Sequence, residues 1–283
     1  MTIEFSWQQR IERAQQLAVE TPHAREILHF YAEILKWQAG LFRLLSEAAQ
    51  KKPFSGAFES DHGLLLERFG SLLDLTREKG SQVLAAQADE ISAAEADWKE
   101  LSVAWWNGES NPTQVFFARV CVQPYLELLA QTDTPPFDSK INAFASRRLE
   151  VAQPRRVCPF CGRKPQLALL SDVISAPGIA DGAAEGGKRF LMCGDCMTTW
   201  PFQRIACPNC GEVDPRKLPY YSAVEFPNLR VECCDSCNRY LKAIDMTRDR
   251  RPVPPVDELA AIPLDLWAWE QNYIKIQPNL AGI

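Results

Sequence analysis

Residues 158–162 read C-P-F-C-G, 193–196 read C-G-D-C, 207–211 read C-P-N-C-G and 234–237 read C-D-S-C. Eight of the ten cysteines thus fall in four C-x-x-C pairs: Cys158/Cys161, Cys193/Cys196, Cys207/Cys210 and Cys234/Cys237. Two intervening residues let both thiolates of a pair point the same way from a tight turn, and two such turns close a tetrahedral site of four thiolates. Four pairs imply two metal ions per chain, zinc or iron, since both accept four thiolates. Gly162 and Gly211 follow the second cysteine of a pair, where the chain must fold back at positive φ. Pro159 and Pro208 fix φ at the first position of the turn. Sequential pairing, Cys158/Cys161 with Cys193/Cys196 and Cys207/Cys210 with Cys234/Cys237, is the natural choice. The interleaved arrangement stays open, because doubling a loop costs only about 0.6 kcal/mol. Cys233 offers a competing C-x-x-x-C register with Cys237; C-x-x-C fits better, and Cys233 is read as a non-ligand.

Other cysteine chemistries suit this chain poorly. A disulfide framework belongs to short secreted chains, whereas this one has 283 residues and opens M-T-I-E-F-S-W-Q-Q-R without an apolar signal region. A dithiol redox centre needs a single C-x-x-C in a βαβ setting, not four pairs among Pro, Gly and short strand-like runs. A closed shell of four thiolates leaves no position for water or substrate. The sequence also holds no phosphate loop, G-x-S-x-G elbow or cysteine and histidine pair at a recognisable spacing, so a non-enzyme is expected. No run of about 20 apolar residues is present, and no membrane insertion is expected.

Residues 1–153 read as an all-α domain of five to seven helices. Trp7, Ile11, Ala14, Leu17 and Ala18 recur at helical spacing. Thr21-Pro22 offers a cap and a first-turn proline for a long helix through Ala49. Its buried side is expected at Ile27, Phe30, Tyr31, Ile34, Leu35, Leu41, Phe42 and Leu45, with Lys51-Lys52-Pro53 as the stop. Further helices are expected near Gly63–Lys79, Ser81–Trp106, Pro112–Gln131 and Phe137–Leu149. Trp98, Trp105 and Trp106 read as core or as a rim against the second domain. His23, His29 and His62 read as structural, and Cys121, within V-C-V, as a small hydrophobe.

Pro154-Arg155-Arg156 opens a second region, 154–251, read as a double ribbon in which metal replaces a large core. Strands are expected at Gln166–Ile174, Lys188–Met192, Thr198–Ile205, Tyr220–Ala223 and Leu229–Cys233. The glycine-rich stretch between the first two reads as a mobile hairpin tip. Residues 1–153 carry 15 basic and 21 acidic side chains, and 154–251 carry 15 basic and 11 acidic. That surplus is a weak phosphate footprint in a chain of pI 5.4, so no nucleic acid is expected as partner. The segment 252–283 is expected to return and pack, with Asp257 capping a short helix that buries Leu259, Ala260, Leu264, Leu266, Trp267 and Trp269. The fold class is therefore α+β: an N-terminal all-α helical domain, two tandem rubredoxin-like or zinc-ribbon-like modules of four cysteines each, and a short C-terminal helix.

Downstream of the cysteines stand R-Y-L-K at Arg239–Lys242, D-E-L-A at Asp257–Ala260, L-D-L-W-A at Leu264–Ala268 and P-N-L-A-G-I at Pro278–Ile283. With the order C-P-x-C-G, C-x-x-C, C-P-x-C-G, C-x-x-C, they resemble the formate dehydrogenase accessory protein FdhE family. R-I-E-R-A near the start and T-P-H-A-R-E-I-L-H-F at the long helix are similar too. The resemblance implies rubredoxin-like iron sites held by Cys158, Cys161, Cys193, Cys196, Cys207, Cys210, Cys234 and Cys237. It also implies a cytoplasmic maturation factor that contacts the catalytic subunit of respiratory formate dehydrogenase before export through the twin-arginine pathway. A nucleic-acid-binding ribbon and a rubredoxin-like electron-transfer protein are the alternatives.

Overall fold

In the computed structural model the described residues are 6–93, 98–106, 112–134, 155–172 and 187–282. Seven α-helices come first among them: α1 Trp7–Glu20, α2 Arg25–Lys51, α3 Phe58–Asp61, α4 Gly63–Lys79, α5 Gln82–Ala93, α6 Trp98–Trp106 and α7 Pro112–Gln131. A capping box starts α1, with Ser6 Oγ accepting from the Gln9 amide and the Gln9 side chain accepting from the Ser6 amide. Helix α7 is buried at every residue from Phe117 to Leu129, as a helix at the centre of a bundle must be. Around it pack α2, α4 and α6, with Trp98 stacked on Phe69 at 3.6 Å and Trp106 on Phe58 at 4.8 Å between ring centroids. The three tryptophans are core residues.

Several local expectations need correction here. Thr21 does not cap the long helix: its hydroxyl donates back to Leu17 O, and a 3-10 turn at Pro22–Ala24 intervenes before α2. The buried stripe of α2 includes Leu28, Ala32 and Gln38, while Ile27, Phe30 and Phe42 are only half-buried. The helix expected over Ser81–Trp106 is described as two pieces, with 94–97 outside the described residues. The helix expected at Phe137–Leu149 and the glycine-rich hairpin tip also lie outside them.

Among the described residues the ribbon region and a short strand of the returning segment form one seven-stranded sheet. Its strands are β1 Pro165–Ser171, β2 Lys188–Cys193, β3 Thr199–Pro201, β4 Tyr220–Ser222, β5 Leu229–Cys234, β6 Arg239–Asp245 and β7 Ile274–Lys275. The order is β3-β2-β1-β6-β5-β4, and β7 pairs with β6 beside the residues that β1 leaves free. Each half is an antiparallel three-stranded ribbon. The parallel pairing of β1 with β6, Leu167 opposite Lys242 through Leu170 opposite Asp245, fuses the two modules. The third expected strand is shorter than Thr198–Ile205, because Pro201 ends its ladder and Arg204 to Ala206 turn into the next knuckle. Strand β6, the centre of the sheet, has no counterpart among the strands expected from sequence.

Both faces of its central strands are covered, which explains why Leu167–Leu170 is a continuous apolar run rather than an alternation. Ala168, Leu191, Leu241 and Ala243 face the core shared with the helices. Leu167, Leu169, Phe190, Val231 and Ile244 face a second core closed by Ala261, Leu264 and Ala268. Two C-terminal helices, α8 Pro254–Ala260 and α9 Ile262–Glu270, lie against these layers. Asp257 is not the cap of α8. Val253 is, and the Asp257 carboxylate accepts from the Val253 amide at 2.7 Å and pairs with Arg13 of α1. Leu266 and Trp269 are exposed, because α9 offers only one face to the sheet.

Under the sheet lies a cluster of buried charges. Lys242 Nζ meets Glu258 Oε1 at 2.9 Å and Asp265 Oδ2 at 2.5 Å, and Lys275 Nζ pairs with Glu258 and with Asp265 Oδ1 at 3.0 Å. Tyr240 donates to Asp265 at 2.8 Å and Asn279 Nδ2 to Glu258 at 3.1 Å. The four sequence motifs downstream of the cysteines therefore converge on one network. Two lysines against two carboxylates balance their charges, as burial requires.

Candidate metal centres

Each ribbon repeats one plan. A knuckle turn precedes the ribbon's first strand, and a second turn sits at the hairpin between its next two strands. Gly162 and Gly211 take φ of 75° and 87°, and their amides donate to Cys158 O and Cys207 O at 3.0 and 2.9 Å. In the hairpin turns Met197 at φ 57° and Asn238 at φ 52° take the left-handed place, and the Asn238 amide donates to Cys234 O at 2.8 Å. Every C-x-x-C pair is thus followed by a left-handed residue. Asn accepts that conformation readily; Met197 holds it against a cost of about 1 kcal/mol.

The sulfur atoms converge in the sequential arrangement. One group is Cys158, Cys161, Cys193 and Cys196, the other Cys207, Cys210, Cys234 and Cys237, and within each all Sγ atoms lie within 4.8 Å of one another. In the first, Cys158 to Cys196, Cys161 to Cys193 and Cys161 to Cys196 are each 3.5 Å apart. In the second, Cys207 to Cys237 is 3.8 Å and Cys210 to Cys234 is 3.6 Å. A tetrahedron with metal–sulfur bonds of about 2.3 Å has edges of about 3.8 Å, so both groups fit a single zinc or iron ion. These spacings are far from the 2.05 Å or so of a disulfide.

Within each group one thiol is favoured as thiolate while others are held as thiols: Cys161 is pushed up chiefly by its sulfur neighbours, and Cys196, Cys207 and Cys234 chiefly by burial. Hydrogen bonds from Cys158, Cys161 and Cys196 pull the Cys193 thiol well below its ordinary range. Burial works against ionisation of Cys210, but the Glu212 amide and the sulfurs of Cys234 and Cys207 outweigh it and lower that thiol too. The Asn209 amide points at Cys207 Sγ at 3.4 Å and the Asp195 amide at Cys193 Sγ at 3.5 Å. Cys233 sits on the opposite face of β5, packed in the second core, and burial pushes its thiol up to about 12. Cys121 is buried within the helices. His23 and His62 lie near backbone carbonyls, Ala260 O at 3.0 Å and Phe58 O at 3.2 Å.

The surroundings of the first centre were not anticipated from sequence. Arg119, Gln123 and Glu127 lie one helical turn apart on α7, all buried, and face the Cys193–Cys196 turn. Arg119 Nε reaches Asp195 Oδ1 at 2.5 Å, Nη1 reaches Pro278 O at 2.6 Å and Nη2 reaches Gln166 Oε1 at 2.8 Å. Gln123 donates to Gly194 O at 2.5 Å and accepts from Gln38. Glu127 is held in a bidentate pair by Arg10. A Cβ on Gly194 would stand 2.0 Å from Gln166 Oε1 and 2.6 Å from Arg119 Nη2, so a larger residue there would have to displace this buried pair. Arg163, just after the first knuckle, stacks over Trp105 at 3.8 Å and approaches Asp195 at 3.6 Å. The available signal was three polar residues at a spacing of four in an otherwise apolar helix.

The second centre borrows its bracing from the first ribbon. Arg156 donates to Asn209 O at 3.0 Å and Lys164 to Asn209 Oδ1 at 2.9 Å. Arg189 of β2 spans to Ala206 O at 3.1 Å and Glu232 Oε2 at 2.6 Å. Among the described residues no helix is long and apolar enough to cross a membrane.

This architecture has relatives. The model of the FdhE C-terminal domain matches residues 205–281, which span the second centre and the C-terminal helices. An FdhE homologue of Aquifex aeolicus is 28% identical over 96% of this chain and 94% of its own. Protein FdhE of Escherichia coli K12 is 31% identical over 47% of this chain and 39% of its own. The crystal structure of the FdhE protein from Pseudomonas aeruginosa shares the fold, with a TM-score of 0.66 over 97% of this chain and 94% of that one at 24% identity. Matched domain, near full-length similarity and common fold agree in what this chain is similar to, the FdhE family.

Proposed function

We propose that this chain is an accessory factor for respiratory formate dehydrogenase, one that binds the catalytic subunit in the cytoplasm before export. It holds two metal ions, through Cys158, Cys161, Cys193 and Cys196 and through Cys207, Cys210, Cys234 and Cys237. A helical domain (residues 1–153), a ribbon region (154–251) and a returning segment (252–283) are the working units of this reading. The observation that carries it is similarity to an FdhE homologue over nearly the whole of both chains. The role is one of binding rather than turnover, since four thiolates complete a tetrahedral shell and leave no position for substrate. A bound ion supplies the ribbons with folding energy, and iron would add a one-electron couple that zinc lacks.

Co-purification with a tagged formate dehydrogenase catalytic subunit tests the proposal. Cys207→Ser together with Cys210→Ser should weaken capture, whereas Cys121→Ala should leave it unchanged. A parent protein that captures no catalytic subunit would end this reading. Undiminished capture by the double variant would move the interface away from the second centre.

A further inference from the structure

We propose that the two four-cysteine centres are kinetically unequal: the second is an exchange centre, open along its Cys210–Cys237 edge to incoming thiolate and nitrogen ligands, while the first is sealed. This rests on the metal reading above and goes beyond it, since that reading treats the centres alike.

At the first centre the four cysteines are 2%, 1%, 0% and 2% exposed in chain order. They belong to the same core as α2, α4 and α7, and Arg119 and Gln123 of α7 are bonded to Asp195 and Gly194 of their second turn. An incoming ligand reaches that metal only if this shared core opens locally. At the second centre Cys207 and Cys234 are buried, but Cys210 is exposed and Cys237 half-buried. The Cys210 turn is held by Arg156 and Lys164 through Asn209, contacts that are themselves exposed to solvent. One edge of this tetrahedron therefore faces water, and the expansion to five ligands through which zinc exchanges partners can happen there without unfolding.

The step is a ligand substitution. An incoming thiolate or pyridine-type nitrogen forms a metal bond with its lone pair as the metal–Cys210 bond breaks. The Cys210 sulfur keeps the electron pair and takes a proton from water, and the metal keeps its oxidation state. Cys207 and Cys234 stay behind as buried anchors, so the ion can be passed on or the vacated position can be occupied by a donor from outside.

The test uses the full chain loaded with zinc, with two equivalents first verified by elemental analysis. Excess 4-(2-pyridylazo)resorcinol is added and zinc release followed by absorbance. One equivalent should leave about a hundredfold or more faster than the other, because only the slow one waits for local opening. Glutathione should accelerate the fast phase alone. Iodoacetamide pulsed after that phase should label Cys207, Cys210, Cys234 and Cys237, and leave Cys158, Cys161, Cys193 and Cys196 unlabelled, as peptide mass mapping reads directly. Cys210→Ser should remove or hasten the fast equivalent without changing the slow rate; the labelling of the parent decides the matter if that variant misfolds. Release of both equivalents in a single phase, or early labelling of the first four cysteines, would overturn the proposal. A chain that never takes up two equivalents fails the metal reading itself, and this inference with it.

Discussion

Replacing Arg119 with methionine tests whether the helices and the first metal centre are locked together by charge. Arg119 is 3% exposed, and its guanidinium satisfies Asp195, Pro278 O and Gln166 at 2.5, 2.6 and 2.8 Å. Methionine fills most of the same volume, so little of the loss would come from a cavity. What remains is a stranded carboxylate: Asp195 is fully buried, and its nearest other cation, Arg163, is 3.6 Å from Oδ2. Removing one partner of a buried pair costs about 3–5 kcal/mol. The two orphaned carbonyl oxygens add about 1–3 kcal/mol each if nothing relaxes. The low ends sum to about 5 kcal/mol, and partial relaxation and water penetration bring the total to about 4 kcal/mol. An unfolding entropy of about 2.1 cal/mol/K per residue gives about 0.6 kcal/mol/K for a chain of this length, so Tm should fall by about 7 °C. Thermal unfolding of the zinc-loaded protein, followed by tryptophan fluorescence, measures this. Asp195→Asn removes the stranded charge, so the pair of substitutions should be less destabilising than the sum of the singles, by about 1.5 kcal/mol or more. A drop in Tm under about 2 °C for Arg119→Met, or strict additivity in the double variant, would refute the lock.

Three further outcomes are expected. Chelation of both metals should abolish the ribbon signals in near-ultraviolet dichroism while most helical far-ultraviolet signal persists, because α2, α4 and α7 carry their own apolar core. Burial disfavours the ionised Glu258 carboxylate, but Lys242 and Lys275 prevail and bring it down to about 2, below its unfolded value. Its contribution is therefore present above about pH 4.5 and lost as pH falls from there towards 2, so the stability gap between the parent and Glu258→Gln should narrow across that window in urea titrations. Truncation after Asp249 would strip Lys242 of both carboxylates and uncover the second core. It should lower Tm by more than the Arg119 substitution does, and an unchanged melting curve would show that the tail contributes nothing.

The two four-cysteine clusters were legible in the sequence because a C-x-x-C turn is a local object. Two cysteines, a proline and a glycine specify the geometry of a knuckle within five residues, and helical periods such as Gly63–Lys79 and Pro112–Gln131 are read over a few turns in the same way. What joined to what was not local. Sequential and interleaved pairing differ by a fraction of a kcal/mol in loop closure, so only the packed sheet chose between them. Strand β6 escaped notice because a strand buried on both faces does not alternate, and Tyr240 and Lys242 make it look half polar. Lys242 belongs there only because Glu258 and Asp265, distant in sequence, arrive beside it. Arg119, Gln123 and Glu127 look like the solvent side of a helix until Asp195, Gly194 and Arg10 are brought against them. The unequal exposure of the two centres has the same origin: equal cysteine spacing makes equal knuckles, and it is the helical core, which takes in the four cysteines of the first centre and none of the second, that buries the one and leaves Cys210 of the other in water.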